Sequence, residues 1–177
     1  MKKRYILILI LVVILLFVWQ VKFRKKDYES YTNKVLHYSV SYPKNWTYRE
    51  FDSKTGAGFR KARMVEGIQN EFIVVEAYKS FGEIQDIPLK VFAYHASDIQ
   101  KENVLTYNAS TKVETDSGLE GYQVNWLYLD YDKEKKVTLP VTFFPSPSAS
   151  YKAFYISLHD EKYWDVYEDM VRSFRIQ

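Results

Sequence analysis

Three histidines, His37, His95 and His159, are the side chains of this 177-residue chain best suited to proton transfer near neutral pH. They are far apart in sequence. His95 and Asp98 stand at i and i+3 of a helical pattern, so they could share a face. One imidazole and one carboxylate fall short of the ligand set of a metal site, and such a pair is ordinary on an exposed helix. Asp130, Asp132 and Glu134 in "DYDKE" alternate like the start of a calcium loop. The glycine and the closing bidentate glutamate of such a loop are missing, and Lys133, Lys135 and Lys136 compete for the carboxylates. The segment reads as a charged hairpin tip. "DSKTGAGFR", Asp52 to Arg60, reads as a turn-rich loop whose amides could face an anion beside Arg60 and Lys61. It lacks the spacing and the Lys-Ser/Thr ending of a phosphate loop. There is no cysteine, which excludes disulfides, thiolate catalysis, Cys-ligated zinc and a lipid-modified cysteine anchor. No catalytic, cofactor-binding or metal-binding residue is assigned, and the expectation is a protein that is not an enzyme.

The strongest signal lies elsewhere. Tyr5 to Val21 is apolar except for Gln20. Seventeen residues at helical rise span roughly 25 Å, close to the thickness of a bilayer core. Tyr5 and Trp19 sit at its ends, where amphipathic rings favour the headgroup level. No small-residue cleavage site follows, so an uncleaved single-pass anchor is expected in place of a removed signal peptide. Lys2, Lys3 and Arg4 precede the run, and Lys22, Arg24, Lys25 and Lys26 follow it. The positive-inside count is nearly a tie. The very short leading tail favours a cytoplasmic N-terminus and an extracytoplasmic domain at the cell membrane. Seven of the 25 basic residues belong to these flanks, which leaves 18 against 21 acidic residues beyond Asp27. The basic pI of 8.8 is therefore a property of the flanks, and no nucleic-acid partner is expected.

The remaining chain divides into a short polar tether, residues 27–34, and one globular domain, residues 35–177. Val35 to Tyr42 alternates as a strand until Pro43, and Trp46 and Tyr48 resume after a short turn. Trp46 reads as a core or rim residue, with a ligand-stacking platform as the alternative. Glu71 to Tyr78 is a central strand by its β-branched and aromatic content. Ile87 to Asn103 changes to helical spacing behind Pro88. After a Ser117-Gly118 turn, Tyr122, Val124, Trp126 and Tyr128 share one strand face. Val137, Leu139, Val141 and Phe143 follow in the next strand, and Phe154, Ile156 and Leu158 in the last. Asp160 should cap a closing helix with Tyr163, Trp164, Tyr167, Met170, Val171 and Phe174 on its inner face. Strands in hairpin order with two separated helices make an α+β domain on an antiparallel sheet.

The stretches "YSVSYPKNW", "GYQVNWLYL", "YKAFYISL" and "YEDMVRSFRI" resemble, in order and spacing, the PsbP-like family, which includes PsbP and DcrB-type bacterial envelope proteins. The resemblance spans Val35 to Ile176. It implies an αβα sandwich, an antiparallel sheet flanked by helices, and a binding or assembly role without a shared catalytic centre. The anchor makes this a membrane-anchored, bacterial-type member and argues against a photosystem role. The expected function is thus a membrane-tethered, extracytoplasmic binding or assembly module. Its partners are the bilayer, through Tyr5 to Val21, and a protein of the envelope. Two alternatives stand beside it: an envelope enzyme whose site assembles only in three dimensions, and a structural subunit of a membrane complex.

The anchor is testable on the intact chain. The mature protein should keep its first residues and stay with the membrane through a carbonate wash. A cysteine at Ser53, in this cysteine-free chain, should react with an impermeant maleimide in intact cells. A soluble form beginning near residue 22, or labelling that needs lysis, would reverse these expectations.

Overall fold

The structure is a computed structural model and describes residues 27–61, 72–78, 88–93, 104–107, 110–130, 135–147 and 150–177. Eleven strands form two antiparallel sheets among these residues. The small sheet has the order β1 (Tyr28–Asn33), β2 (Tyr38–Pro43) and β11 (Arg175–Ile176). The large sheet runs β3 (Trp46–Glu50), β4 (Gly56–Lys61), β5 (Ile73–Tyr78), β10 (Ala153–Leu158), β9 (Lys135–Pro145), β8 (Glu120–Asp130) and β6 (Val104–Tyr107). Strand β7 (Thr111–Glu114) also pairs with β8. A short helix α1 covers 89–93, with Pro88 supplying the first carbonyl. A 3-10 turn at Glu161–Tyr163 leads into helix α2 (Trp164–Ser173).

Alternation along β10 shows how the layers form. Phe154, Ile156 and Leu158 join the core under the small sheet and α2, and Ala153 and Tyr155 join the core under α1. The first core combines Tyr38, Val40 and Tyr42 of β2 with Phe59, Ile73 and Val75 of the large sheet and Tyr167, Met170 and Phe174 at the C-terminal end. The second packs Phe92 and Ala93 against Val124, Trp126, Val141 and Phe143.

The domain is a mostly antiparallel fold, more sheet-rich than the helix-flanked sandwich that the resemblance implies. A three-stranded sheet takes much of the cover that helices were expected to supply. Strand β1 is the reason. Residues 27–34 were expected as a tether, yet Tyr28–Asn33 pairs along its whole length with β2. Tyr31 and Asn33 are buried, so the segment contributes to the core in spite of its polar composition. The break between β1 and β2 lies at residues 34–37, of which Val35 to His37 were expected to begin the next strand. The Asn33 side-chain oxygen accepts the amides of Val35 and Leu36 at 3.0 and 2.9 Å. His37 then takes a left-handed φ of 53°. Such an Asx arrangement reverses the chain before alternation can start. "DSKTGAGFR" is likewise shorter as a loop than expected. The turn ends at Thr55 and β4 begins at Gly56. A Cβ at Gly56 would lie 2.3 Å from the Val75 carbonyl oxygen, so this glycine permits close strand approach.

Other expectations match. Gly118 supplies its turn with φ 80°, and Asp160 accepts the Lys162 amide at 3.1 Å. The helix expected over Ile87 to Asn103 is described at 89–93, and the rest of that range lies outside the described residues, as do residues 1–26, on which the expected anchor falls. No described helix is long and apolar enough to cross a membrane.

Helix α2 turns its inner face slightly away from the expected one. Tyr167, Met170 and Phe174 are fully buried, whereas Trp164 is half-exposed and donates its indole N–H to Glu168 at 3.0 Å. Phe174→Ala should therefore cost about 3–5 kcal/mol of unfolding free energy. Trp164→Ala should cost clearly less. Denaturant titration of both variants checks the order, and equal losses would show that the helix is seated differently.

Candidate binding groove

Pro43 ends the ladder of β2 because it has no N–H to give, and the chain changes sheets there. The Lys44 amide donates to the Asp27 carbonyl at 2.8 Å and closes the β1–β2 end. Two residues later Trp46 opens β3, opposite Lys61 of β4. Trp46 is 5% exposed. Its ring meets Tyr163 edge-on at 5.0 Å and Phe72 at 5.9 Å. Tyr163 comes from the opposite end of the chain, carried by the 3-10 turn that Asp160 caps. Between the sheet-switching turn, the start of β1 and this 3-10 turn lies an open groove of about 570 Å³.

Its floor is the Trp46–Tyr163 pair, and its rim carries Lys44 and Lys61, both exposed. The Lys61 ammonium lies 5.7 Å from the centre of the Tyr163 ring, and that of Lys162 lies 5.2 Å from the same ring. Cations over an aromatic face gain about 0.5–1 kcal/mol each at exposed positions. The ring therefore restrains two flexible ammonium groups beside the groove. Tyr28 forms another wall, and its hydroxyl donates to Asp169 at 2.5 Å. Burial, with Asp169 next, pushes the Tyr28 phenol well above the usual value of 10. Burial likewise raises Tyr31 to about 12, helped by Glu50. Both shifts hold the phenols protonated at neutral pH, which is the wrong direction for a general base. The arrangement suits holding a ligand, through apolar ring surface and cationic rim.

Of the residues singled out in the sequence, the described histidines do not converge here. His37 sits in the β1–β2 turn, and its carbonyl accepts the Gln177 amide at 2.7 Å. His159 places Nε2 2.9 Å from the Ser157 hydroxyl. His95 and Asp98 lie outside the described residues, as do Asp132 and Glu134. Asp130 ends β8 opposite Lys135. Among the described residues no three histidine or carboxylate side chains could hold a metal ion. Trp46 is the residue whose sequence setting suggests a platform. Lys61 is expected only beside a possible anion-facing loop and Tyr163 only on a helix face; Lys61 meets Trp46 through β3–β4 pairing and Tyr163 through tertiary packing.

Tyr28 gives the groove a pH signature. Its raised pKa means that the folded chain keeps a proton which the unfolded chain releases near pH 10. The stabilisation is whole below that value and is lost as pH rises through the folded pKa. Tyr28→Phe should cost about 1–2 kcal/mol at neutral pH, and the deficit relative to the unsubstituted chain should shrink above pH 10. A deficit that stays constant on alkaline titration would show that the hydroxyl contributes no linked proton.

No protein-family model matches the chain, and no curated protein matches it. Among solved structures, the solution structure of cyanobacterial PsbP (CyanoP) from Synechocystis sp. PCC 6803 superposes with a TM-score of 0.51. The match covers 86% of this chain and 94% of that one, at 12% sequence identity. At that identity the similarity establishes the fold: the chain adopts the architecture of a PsbP protein.

Proposed function

We propose that this chain is a membrane-tethered, extracytoplasmic binding or assembly module without catalytic activity, which takes its ligand in the Trp46–Tyr163 groove. The PsbP-like fold suggests a binding or assembly role. The observation that carries the reading is the position of the groove. Asp27 and Tyr28, the first described residues of the domain, form part of its wall, so the ligand is held where the chain arrives from the apolar run Tyr5 to Val21. A tether followed at once by a binding surface keeps the local ligand concentration high for anything else confined to the same membrane. The groove's ionisable groups favour binding over proton transfer, since its phenol is held neutral and its ammonium groups line the rim.

The test uses the absence of cysteine. Asn45→Cys, at the rim, and Val35→Cys, an exposed position in the turn at the other end of β1, each accept one photocrosslinker. In intact cells the Asn45 site should capture a defined product that the Val35 site does not. Lys61→Glu in the Asn45→Cys background should reduce that product several-fold. Equal capture from both sites would place binding elsewhere. Loss of a measurable cellular function in His95→Ala, with folding and localisation intact, would move the chain to the enzyme reading.

A further inference from the structure

We propose that the Trp46–Tyr163 groove seats the headgroup of an anionic phospholipid, and that this contact fixes how the domain stands on its own membrane. The proposal deepens the preceding reading and rests on it in one respect: Tyr5 to Val21 must lie in the bilayer.

Covalent geometry supplies the first argument. Asp27 is six residues beyond Val21. At most about 3.3–3.6 Å per residue, that link reaches no farther than about 20 Å from the end of the apolar run. A wall of the groove is therefore confined to the neighbourhood of the headgroups. The turn at residues 34–37 is a further six-residue strand away. Of the two ends of β1, the groove end is the one held at the membrane.

Charge supplies the second. Lys44 and Lys61 are exposed on the rim, and Lys162 stands over the same tyrosine as Lys61. Among the described residues none of these three ammonium groups is paired with a carboxylate. A phosphodiester offers acceptor oxygens and negative charge, and a lysine binds it as a point charge without strict geometry. Asp27 is the acidic residue of the wall, and the Lys44 amide is already given to its carbonyl. Lys44 and Lys61 are the groups of the wall whose charge complements a phosphodiester.

The floor supplies the third. Tryptophan and tyrosine rings favour the interfacial layer, with their apolar faces against the glycerol and upper acyl region. Trp46 and Tyr163 lie beneath the cationic rim, so the rim meets the phosphate while the two rings line the space that the rest of the headgroup enters. A volume of about 570 Å³, open on one side, admits a headgroup whose acyl chains remain in the bilayer.

The full chain reconstituted in vesicles tests this. Vesicles of phosphatidylcholine alone are compared with vesicles that also contain phosphatidylglycerol. An environment-sensitive fluorophore sits at Asn45→Cys or, in a second protein, at Val35→Cys, and a quencher is attached to lipid headgroups. Flotation with the vesicles reports the anchor itself. With the anionic lipid, the Asn45 probe should be strongly quenched and the Val35 probe should not. Lys44→Glu with Lys61→Glu should lower the seated-to-free ratio by on the order of tenfold. Lys44→Arg with Lys61→Arg, which keeps the charge, should retain the quenching and so control for misfolding. A chain that does not float removes the membrane reading and this proposal together. Three outcomes overturn the proposal while the anchor stands: a floating chain quenched equally at both sites, a charge reversal without effect, or a crosslink from Asn45 to protein instead of lipid. Seating reproduced in phosphatidylcholine vesicles by free glycerol phosphate would assign the groove to a soluble phosphate ester and would also overturn it.

Discussion

Phe174 is the ring on which the two sheets are joined. It stacks on Phe144 of the large sheet at 4.8 Å with an angle of 17°, and it meets Tyr38 of the small sheet at 5.6 Å and Phe154 at 5.8 Å. Tyr38 in turn packs on Phe154 at 5.1 Å. Aromatic pairs of this kind add about 0.5–1.5 kcal/mol each beyond the area they bury. Two sheets that meet face to face must agree on position and angle, and one tightly packed cluster sets both. Everything at the groove follows from that agreement. Trp46 belongs to the large sheet, Tyr28 to the small one, and Tyr163 to the turn before α2. A shift between the layers would separate the three.

Much of this architecture can be read from patterning. The strands around Val124, Val141 and Ile156 alternate cleanly, and the spacing of Tyr167, Met170 and Phe174 announces a helix because each period is set by burial on one side. The failures share a cause. "DYESYTNK" looks like a tether because its outward residues are polar and its inward ones are Tyr31 and Asn33, the second of which is an amide. Nothing local shows that Asn33 will be 4% exposed and will organise the following turn. "TGAGFR" looks like a loop because glycine and alanine offer little hydrophobic signal. Their use is to let strands approach, which is a property of the neighbour as much as of the residue. Trp164 looks inward by spacing alone, since periodicity fixes a face only to within the arc that one side chain covers. The groove was legible only at Trp46, behind the proline. Lys61 and Tyr163 meet it by pairing and packing that no short window contains.

The aromatic content also takes on a meaning. With 16 tyrosines and 11 phenylalanines, the chain is rich in large, stiff rings, and the tyrosines add a hydroxyl at the ring's edge. Tyr31, Tyr42, Tyr48 and Phe59 pack within 4.9–6.2 Å of one another, while the first two send hydroxyls to Glu50 and Glu29. Deeper in, the Tyr167 hydroxyl lies 2.6 Å from that of Thr142. Phenols thus connect core to surface carboxylates, and both small-sheet strands β1 and β2 can be half polar without losing their place.

Strand β11 ties residues far apart in the sequence, Arg175 to Ser39 and Ile176 to Tyr38, and the Gln177 amide completes the seam at His37. During synthesis the small sheet has no third strand, and Tyr38 has no Phe174, until residues 174–176 have been made. Contacts of such sequence separation are slow to form and demand that most of the chain be available at once. A growing polypeptide of this design remains incompletely folded until the segment 174–177 has been made. If it crosses a membrane as it emerges, it does so in a form that threads easily, and the two sheets lock only after that segment arrives.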